Sequence, residues 1–246
     1  MGRQEQIIAE RLKKLDALRK AGINPYPNKF DVKNYSNDLQ EKHKKLNKES
    51  HSTDSVKIAG RLMTFRDLGK IAFGTIQDSK GKIQIMLQSP PIPKKIKDLY
   101  KKYVDIGDFL GIKGTIFRTK RGELTVLVKD ATILSKSILP LPEKWHGLQD
   151  DEEKLRKRYL DILTNPEIKE LFIRKNKFWQ IIRSFLTEKG FLEVETPILE
   201  TSAGGAAATP FATHHNALDT DVFLRISMGE LWQKRLMVAG YDKTFE

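Results

Sequence analysis

No cysteine occurs among the 246 residues, which excludes disulfide bridges and thiolate-bound zinc and fits a reducing, cytoplasmic setting. Nowhere does an apolar run approach the roughly 18 residues that a helical membrane span requires. The opening Met1 to Glu10 has neither the basic start nor the apolar stretch of a secretory leader. A Walker-type phosphate loop and a G-x-G-x-x-G pattern are both missing, so any nucleotide site must be of another design. His214 and His215 are adjacent, and neighbours on an extended strand point to opposite faces. With no third ligand nearby, both are expected to be structural, and no metal site is expected. What these absences leave is a soluble globular protein with 39% hydrophobic and 31% charged residues.

Charge is unevenly spread. The net charge is +12, yet Met1 to Leu134 hold 28 Lys and Arg against 15 Asp and Glu, a balance of +13, and the remainder sits at −1. A basic excess confined to one part of a chain suits a polyanion, of which nucleic acid is the commonest.

Gln4 to Ala21 places Ile7, Ile8, Leu12, Leu15 and Leu18 at helical spacing and stops at Gly22. A Lys-rich connection follows, with a short helix expected around Leu39 to Leu46. From Val56 the pattern changes to short β-rich runs: Val56–Thr64, Ala72–Asp78, Lys82–Leu87, Asp108–Phe117 and Leu124–Leu134. Ser79-Lys80-Gly81 predicts a tight hairpin between the second and third. A basic helical stretch, Ile92 to Tyr103, separates the third from the fourth. Three strands, a helix and two strands is the order of an OB-fold, a five-stranded barrel that binds oligonucleotides on one face.

After a linker containing Pro140, Pro142 and Gly147, helical signals dominate. Asn165-Pro166-Glu167 starts a helix, Leu171, Phe172, Phe178, Ile181, Ile182, Phe185 and Leu186 form its expected buried stripe, and Gly190 ends it. Strands are expected at Leu192–Glu195 and Val222–Ile226, the latter with an open edge, and a helix at Gly229–Val238.

Leu186-Thr-Glu-Lys-Gly-Phe-Leu-Glu-Val-Glu-Thr-Pro-Ile-Leu199 is a helix end, a glycine, a short strand and a proline. It resembles motif 1 of class II aminoacyl-tRNA synthetases. The runs Pro140–Asp150, Arg158-Tyr159-Leu160-Asp161, Ala203–Ala207, Thr213–Asp219 and Leu224-Arg225-Ile226 narrow the resemblance to lysyl-tRNA synthetases, in order and spacing, from the first helix onward.

The resemblance implies an α+β protein: a five-stranded OB-fold β-barrel, then the N-terminal part of a class II antiparallel-sheet catalytic domain. The implied division is a helical extension at 1–54, an anticodon-binding barrel at 55–137, a linker at 138–150 and an incomplete catalytic domain at 151–246. Motif 1 would be present, and motifs 2 and 3 would lie beyond residue 246. Arg61, Phe73, Gln84 and Glu123 fall on anticodon-binding positions. Phe73 would give a base a stacking platform, Gln84 a donor and an acceptor, Glu123 an acceptor, and Arg61 a cation. Gly204 and Gly205 would let backbone approach the amino acid, and Glu230 would pair with the lysine α-amino group. Pro197, Phe185 and Ile182 would belong to a dimer interface. The implied activity is lysine–tRNA ligation with ATP as substrate and Mg2+ assisting, the partners being L-lysine, the tRNA for lysine and a second copy of the chain. No membrane is involved. These residues alone would be inactive. The alternative is a non-catalytic RNA-binding protein derived from a synthetase.

Overall fold

The computed structural model describes all residues except Met1, 143–147, 149, 203–206 and 228–229, and all of their side chains except those of Lys95 and Leu99. Two compact units divide the chain, Met1–His146 and Gly147–Glu246.

In the first unit, helix α1 (Arg3–Lys20) stops where Gly22 adopts a φ of 72°. That left-handed turn lets the Ile23 amide donate to the Leu18 carbonyl and the Gly22 amide to that of Arg19, each at 3.0 Å, so the frayed carbonyls find partners. A shorter helix, α2 (Ser36–Lys42), buries Ser36 and Leu39.

Five strands follow: β1 (His51–Asp67), β2 (Ile71–Gln77), β3 (Lys82–Gln88), then β4 (Phe109–Arg118) and β5 (Leu124–Ser135), with helix α3 (Lys94–Tyr103) between β3 and β4. They form a closed barrel in the order β1-β2-β3-β5-β4. The pairs are antiparallel except β3 with β5, which run parallel through Gln84–Thr125, Ile85–Val126 and Met86–Leu127. This is the OB-fold that the sequence pattern predicts. Period-two alternation sets the faces: on β2, Ala72, Gly74 and Ile76 point inward while Phe73, Thr75 and Gln77 point outward.

The barrel interior holds Ile58, Leu62, Ile76, Ile83, Ile85, Leu110, Ile112, Ile116, Val126 and Val128, and Leu18, Leu39 and Tyr100 of the three helices join the same cluster. Burying each such aliphatic side chain stabilises the fold by about 1.5–3 kcal/mol. Closure brings backbones so near that only glycine fits at two places. A Cβ on Gly60 would lie 2.4 Å from the Gln77 carbonyl oxygen, and one on Gly114 2.2 Å from that of Leu127.

Polar links fix the helices to the barrel. Asp78 accepts from the Ser36 amide and hydroxyl at 2.6 and 2.7 Å, and from the Lys80 and Gly81 amides of its own hairpin at 2.8 and 2.9 Å. The Lys136 ammonium is fully buried between Asp105 and Asp108, and Asp108 also accepts from the amides of Asp105 and Ser137. From α1, Arg11 donates to the carbonyls of Ile106, Ser137 and Leu139, and Lys14 to Asp105.

The second unit contains α4 (Asp151–Arg156), α5 (Arg158–Thr164) and α6 (Pro166–Glu188). Asn165 caps α6 by accepting from the Glu167 amide at 3.1 Å, and Pro166 occupies its first turn. Gly190, at φ 80°, closes it with the Phe191 amide donating to Leu186 at 3.0 Å. The apolar stripe does not behave as expected within the chain. Leu171, Phe172, Phe178, Ile181 and Phe185 are all exposed, and Ile182 and Leu186 only half-buried. Periodicity marks which face is apolar, not what covers it.

Short strands complete the unit: β6 (Leu192–Glu193), β7 (Leu199–Glu200), β8 (Ala212–His215) and β9 (Thr220–Leu224), then α7 (Glu230–Val238) and β10 (Thr244–Phe245). β10 pairs parallel with β6. β9 is the middle strand of β7-β9-β8, so the strand expected to carry an open edge is flanked on both sides. Beside these sheets, Arg225 donates to the Thr196 hydroxyl at 2.6 Å and pairs with Glu246 at 2.9 Å, and that carboxylate accepts from the Thr196 hydroxyl and amide.

Candidate nucleic-acid interface

The outward residues of β1, β2, β3 and β5 align in rows, because strand register fixes which side chains are neighbours. One row is Thr64, Thr75, Gln84 and Thr125, of which Thr125 is fully buried. Its members are linked: the Thr64 and Thr75 hydroxyls lie 2.8 Å apart, and the Thr125 hydroxyl lies 2.8 Å from Gln84 Oε1 and 3.2 Å from the Glu123 carbonyl oxygen. The next row is Arg66, Phe73, Met86 and Leu127, of which Met86 is buried. Phe73 is half-exposed on the outer face, where a ring can meet a splayed base.

Phe73 and Gln84 therefore share a face on adjacent strands, one row apart. Glu123 stands exposed just before β5, next to that row, and its amide donates to Thr119 at 3.0 Å. Arg61 sits elsewhere in the same outer surface, opposite Gln77. Its guanidinium turns toward β4, donating to the Gly107 carbonyl at 3.0 Å and lying 4.3 Å over the Phe109 ring. Burial lowers its pKa and the nearby Asp108 charge partly offsets this. The structure thus groups Phe73, Gln84 and Glu123 but engages Arg61 away from them.

Arg66, exposed and opposite Phe73, was not singled out from the sequence. A cation near a hairpin tip reads as a solvated turn residue until the register sets it beside the aromatic. Below it, α3 holds that hairpin: Lys97 donates to the carbonyls of Gly69 and Lys70, and Lys101 to Gly69 at 2.8 Å and to Asp67 at 2.7 Å. The Asp67 carboxyl is held below its usual range chiefly by the hydrogen bond from Lys101.

In the second unit, Glu230 is the exposed first residue of α7. Two residues on, the Trp232 indole donates to Glu200 at 2.9 Å, and the Arg235 guanidinium covers its ring at 4.6 Å. Gly204 and Gly205 lie outside the described residues. Pro197 and Phe185 are exposed and Ile182 is half-buried. His214 sits between two carboxylates, with Nδ1 2.8 Å from Asp221 and Nε2 3.4 Å from Asp219. Among the described residues no cluster of three or more His, Asp or Glu could hold a metal ion.

Two families match the chain: an OB-fold nucleic acid binding domain over residues 56–134, and tRNA synthetases class II (D, K and N) over residues 150–246. The chain is 47% identical over 245 residues to a lysine–tRNA ligase of Thiobacillus denitrificans, covering 99% of itself and 48% of that relative. A lysine–tRNA ligase of Moorella thermoacetica is 46% identical, with 99% and 48% covered, and one of Magnetococcus marinus 45% identical, with 100% and 50% covered. The chain spans about half the length of these curated relatives.

Proposed function

The chain belongs to the class II tRNA synthetases of the D, K and N group, and from that premise we propose that it carries the anticodon-reading barrel and part of the lysine site of a lysine–tRNA ligase. The supporting observation is the outer face of the barrel, where Phe73, Gln84 and the Glu123 neighbourhood stand together on three strands. A stacking ring beside an oriented amide and a free carboxylate suits a single-stranded, unstacked base, which is how proteins read RNA sequence. The basic excess of the same part of the chain supplies the sequence-independent attraction for phosphate.

The reaction of the whole protein would join lysine to ATP as lysyl-adenylate, releasing pyrophosphate, and then pass lysine to the tRNA 3′ end. The carboxylate of Glu230 would pair with the lysine α-amino group at the start of α7, with Gly204 and Gly205 close to the same amino acid. Magnesium bound with ATP would neutralise phosphate charge. The apolar face of α6, exposed in the single chain, is the surface a second copy would cover.

The test is the affinity of the chain for a hairpin RNA carrying the lysine anticodon against one with a changed middle base. A preference of about tenfold, or about 1.4 kcal/mol, is expected, weakening in both cases as salt rises. Equal affinity would overturn the anticodon reading.

A further inference from the structure

The tip of the β1–β2 hairpin is built on Gly69, which turns the chain at a φ of 81°. Its amide donates to the Asp67 carboxylate at 2.9 Å, and the Leu68 amide to the Ile71 carbonyl at 2.9 Å. Both carbonyls of the turn accept from α3. The Lys97 ammonium donates to Gly69 at 3.2 Å and to Lys70, and the Lys101 ammonium to Gly69 at 2.8 Å. Lys101 also pairs with the Asp67 carboxylate at 2.7 Å. Lysines four residues apart share one face of a helix. Tyr100, buried in the barrel cluster, seats that helix on the core.

The turn itself does not require this grip. Asp67 already closes it from within, as Asp78 closes the β2–β3 hairpin. Lys97 is only 7% exposed, and its ammonium is met by peptide carbonyls. Burying a cation among neutral acceptors is costly, so the cost calls for a return. What sets this hairpin apart is its place. Arg66, just before the tip, is the register partner of Phe73, and Lys70, at its end, is exposed. Charge points the same way. The Asp67 carboxylate follows Arg66 directly in the chain, and an uncompensated anion there would repel the phosphate that Arg66 attracts. The Lys101 ammonium cancels it.

We propose that Lys97 and Lys101 are positioning residues for RNA binding: Lys97 fixes the hairpin tip so that Arg66 stands beside Phe73, and Lys101 masks the Asp67 charge from the phosphate strand. The proposal rests on the anticodon reading above and gives α3, outside the barrel strands, a part in it without contact between helix and RNA. Fixing the tip in advance removes an ordering cost from binding. Masking Asp67 removes a like-charge repulsion.

The experiment uses the full 246-residue chain and a labelled hairpin RNA with the lysine anticodon, each variant being checked for folding by circular dichroism. Lys101→Met should weaken binding about fivefold, and adding Asp67→Asn should recover at least about half of that loss on a logarithmic scale. Lys102→Met removes the same charge one residue along, where the ammonium lies 5.1 Å over the Tyr103 ring. It should cost less than about twofold, as a screened charge away from the hairpin. Lys101→Arg should bind like wild type, since its fork of donors can serve both Gly69 and Asp67. For Lys97 the readout is coupling: Arg66→Ala should weaken wild type about fivefold, yet change a folded Lys97→Met by less than about twofold. Lys101 is not buried, so its variants carry the test should Lys97→Met fail to fold. Equal losses in Lys101→Met and Lys102→Met, no recovery on adding Asp67→Asn, or an undiminished Arg66→Ala effect in Lys97→Met overturns the positioning role. A wild type blind to the middle base overturns the anticodon reading itself, and the positioning role with it.

Discussion

The Thr125 hydroxyl sits 2.8 Å from Oε1 of Gln84, across the parallel pair that β3 makes with β5. The bond orients the Gln84 amide before any ligand arrives and leaves its Nε2 donors to other partners. Thr125→Val keeps the shape and removes the bond. The variant should lose about 0.5–1.5 kcal/mol of middle-base preference, read as the ratio of affinities for matched and changed hairpins. An unaltered ratio would detach Thr125 from recognition.

Phe73 and Arg66 are register partners on the outer face. Phe73→Ala should weaken binding of the lysine-anticodon hairpin by about 1–3 kcal/mol. Arg66→Ala should weaken matched and changed hairpins alike and flatten the salt dependence, since a cation on phosphate carries little sequence information. Loss of base preference in Arg66→Ala alone would reverse the two roles.

Lys136 is buried with Asp105 and Asp108. Burial raises the Asp105 carboxyl, but hydrogen bonds from Lys136 and Lys14 more than offset it and hold it below its usual value. Lys136→Met would strand the carboxylates and should destabilise the first unit by about 3–5 kcal/mol in chemical denaturation. Adding Asp108→Asn should restore part of that. A double variant no more stable than the single one would show that the Asp108 charge is not what suffers.

Acid should act on the second unit through Glu246. Burial pushes this carboxyl up, yet hydrogen bonds from Thr196 and Arg225 outweigh burial and leave it below its ordinary 4.5. A depressed folded value means the contribution is complete above pH 4.5 and is lost as pH falls through the folded value. Unfolding followed by the fluorescence of Trp179 and Trp232 should therefore show a shallower acid limb for Glu246→Gln than for wild type. Superimposable limbs would contradict the assignment.

Phe172 and Phe185 lie exposed along α6. Light scattering at micromolar concentration should give twice the chain mass, the two-fold arrangement commonest among oligomers. Replacing both by Asp should halve it. A monomeric wild type would leave the α6 face without its expected occupant.

The barrel was legible because inward Ile, Leu and Val alternate with polar residues, and because Asp78 to Gly81 is a turn written in side chains. The start of β1 was not: His51 to Asp54 is polar, and its place comes from β4, where His51 stacks on Phe117 at 5.3 Å. In the second unit β6 falls within the strand expected at Leu192–Glu195, while β7 and β10 have two residues each, too few for any period to register. Phe73 and Gln84 were found by resemblance, since an aromatic in a strand is usually core. Arg66 needed strand register, and that is not written locally.

Asp78 takes four hydrogen bonds, two of them from Ser36 at the start of α2. Gln40 adds another to the Lys82 carbonyl at 2.7 Å, and Lys80 reaches Asp38 at 2.7 Å. Helix α2 is thereby clamped to the β2–β3 hairpin. The ordering entropy of that helix is lost when the chain folds, not when a ligand binds nearby. An incoming strand would then meet a rigid receptor, and its association rate would follow diffusion and ionic strength rather than a conformational step.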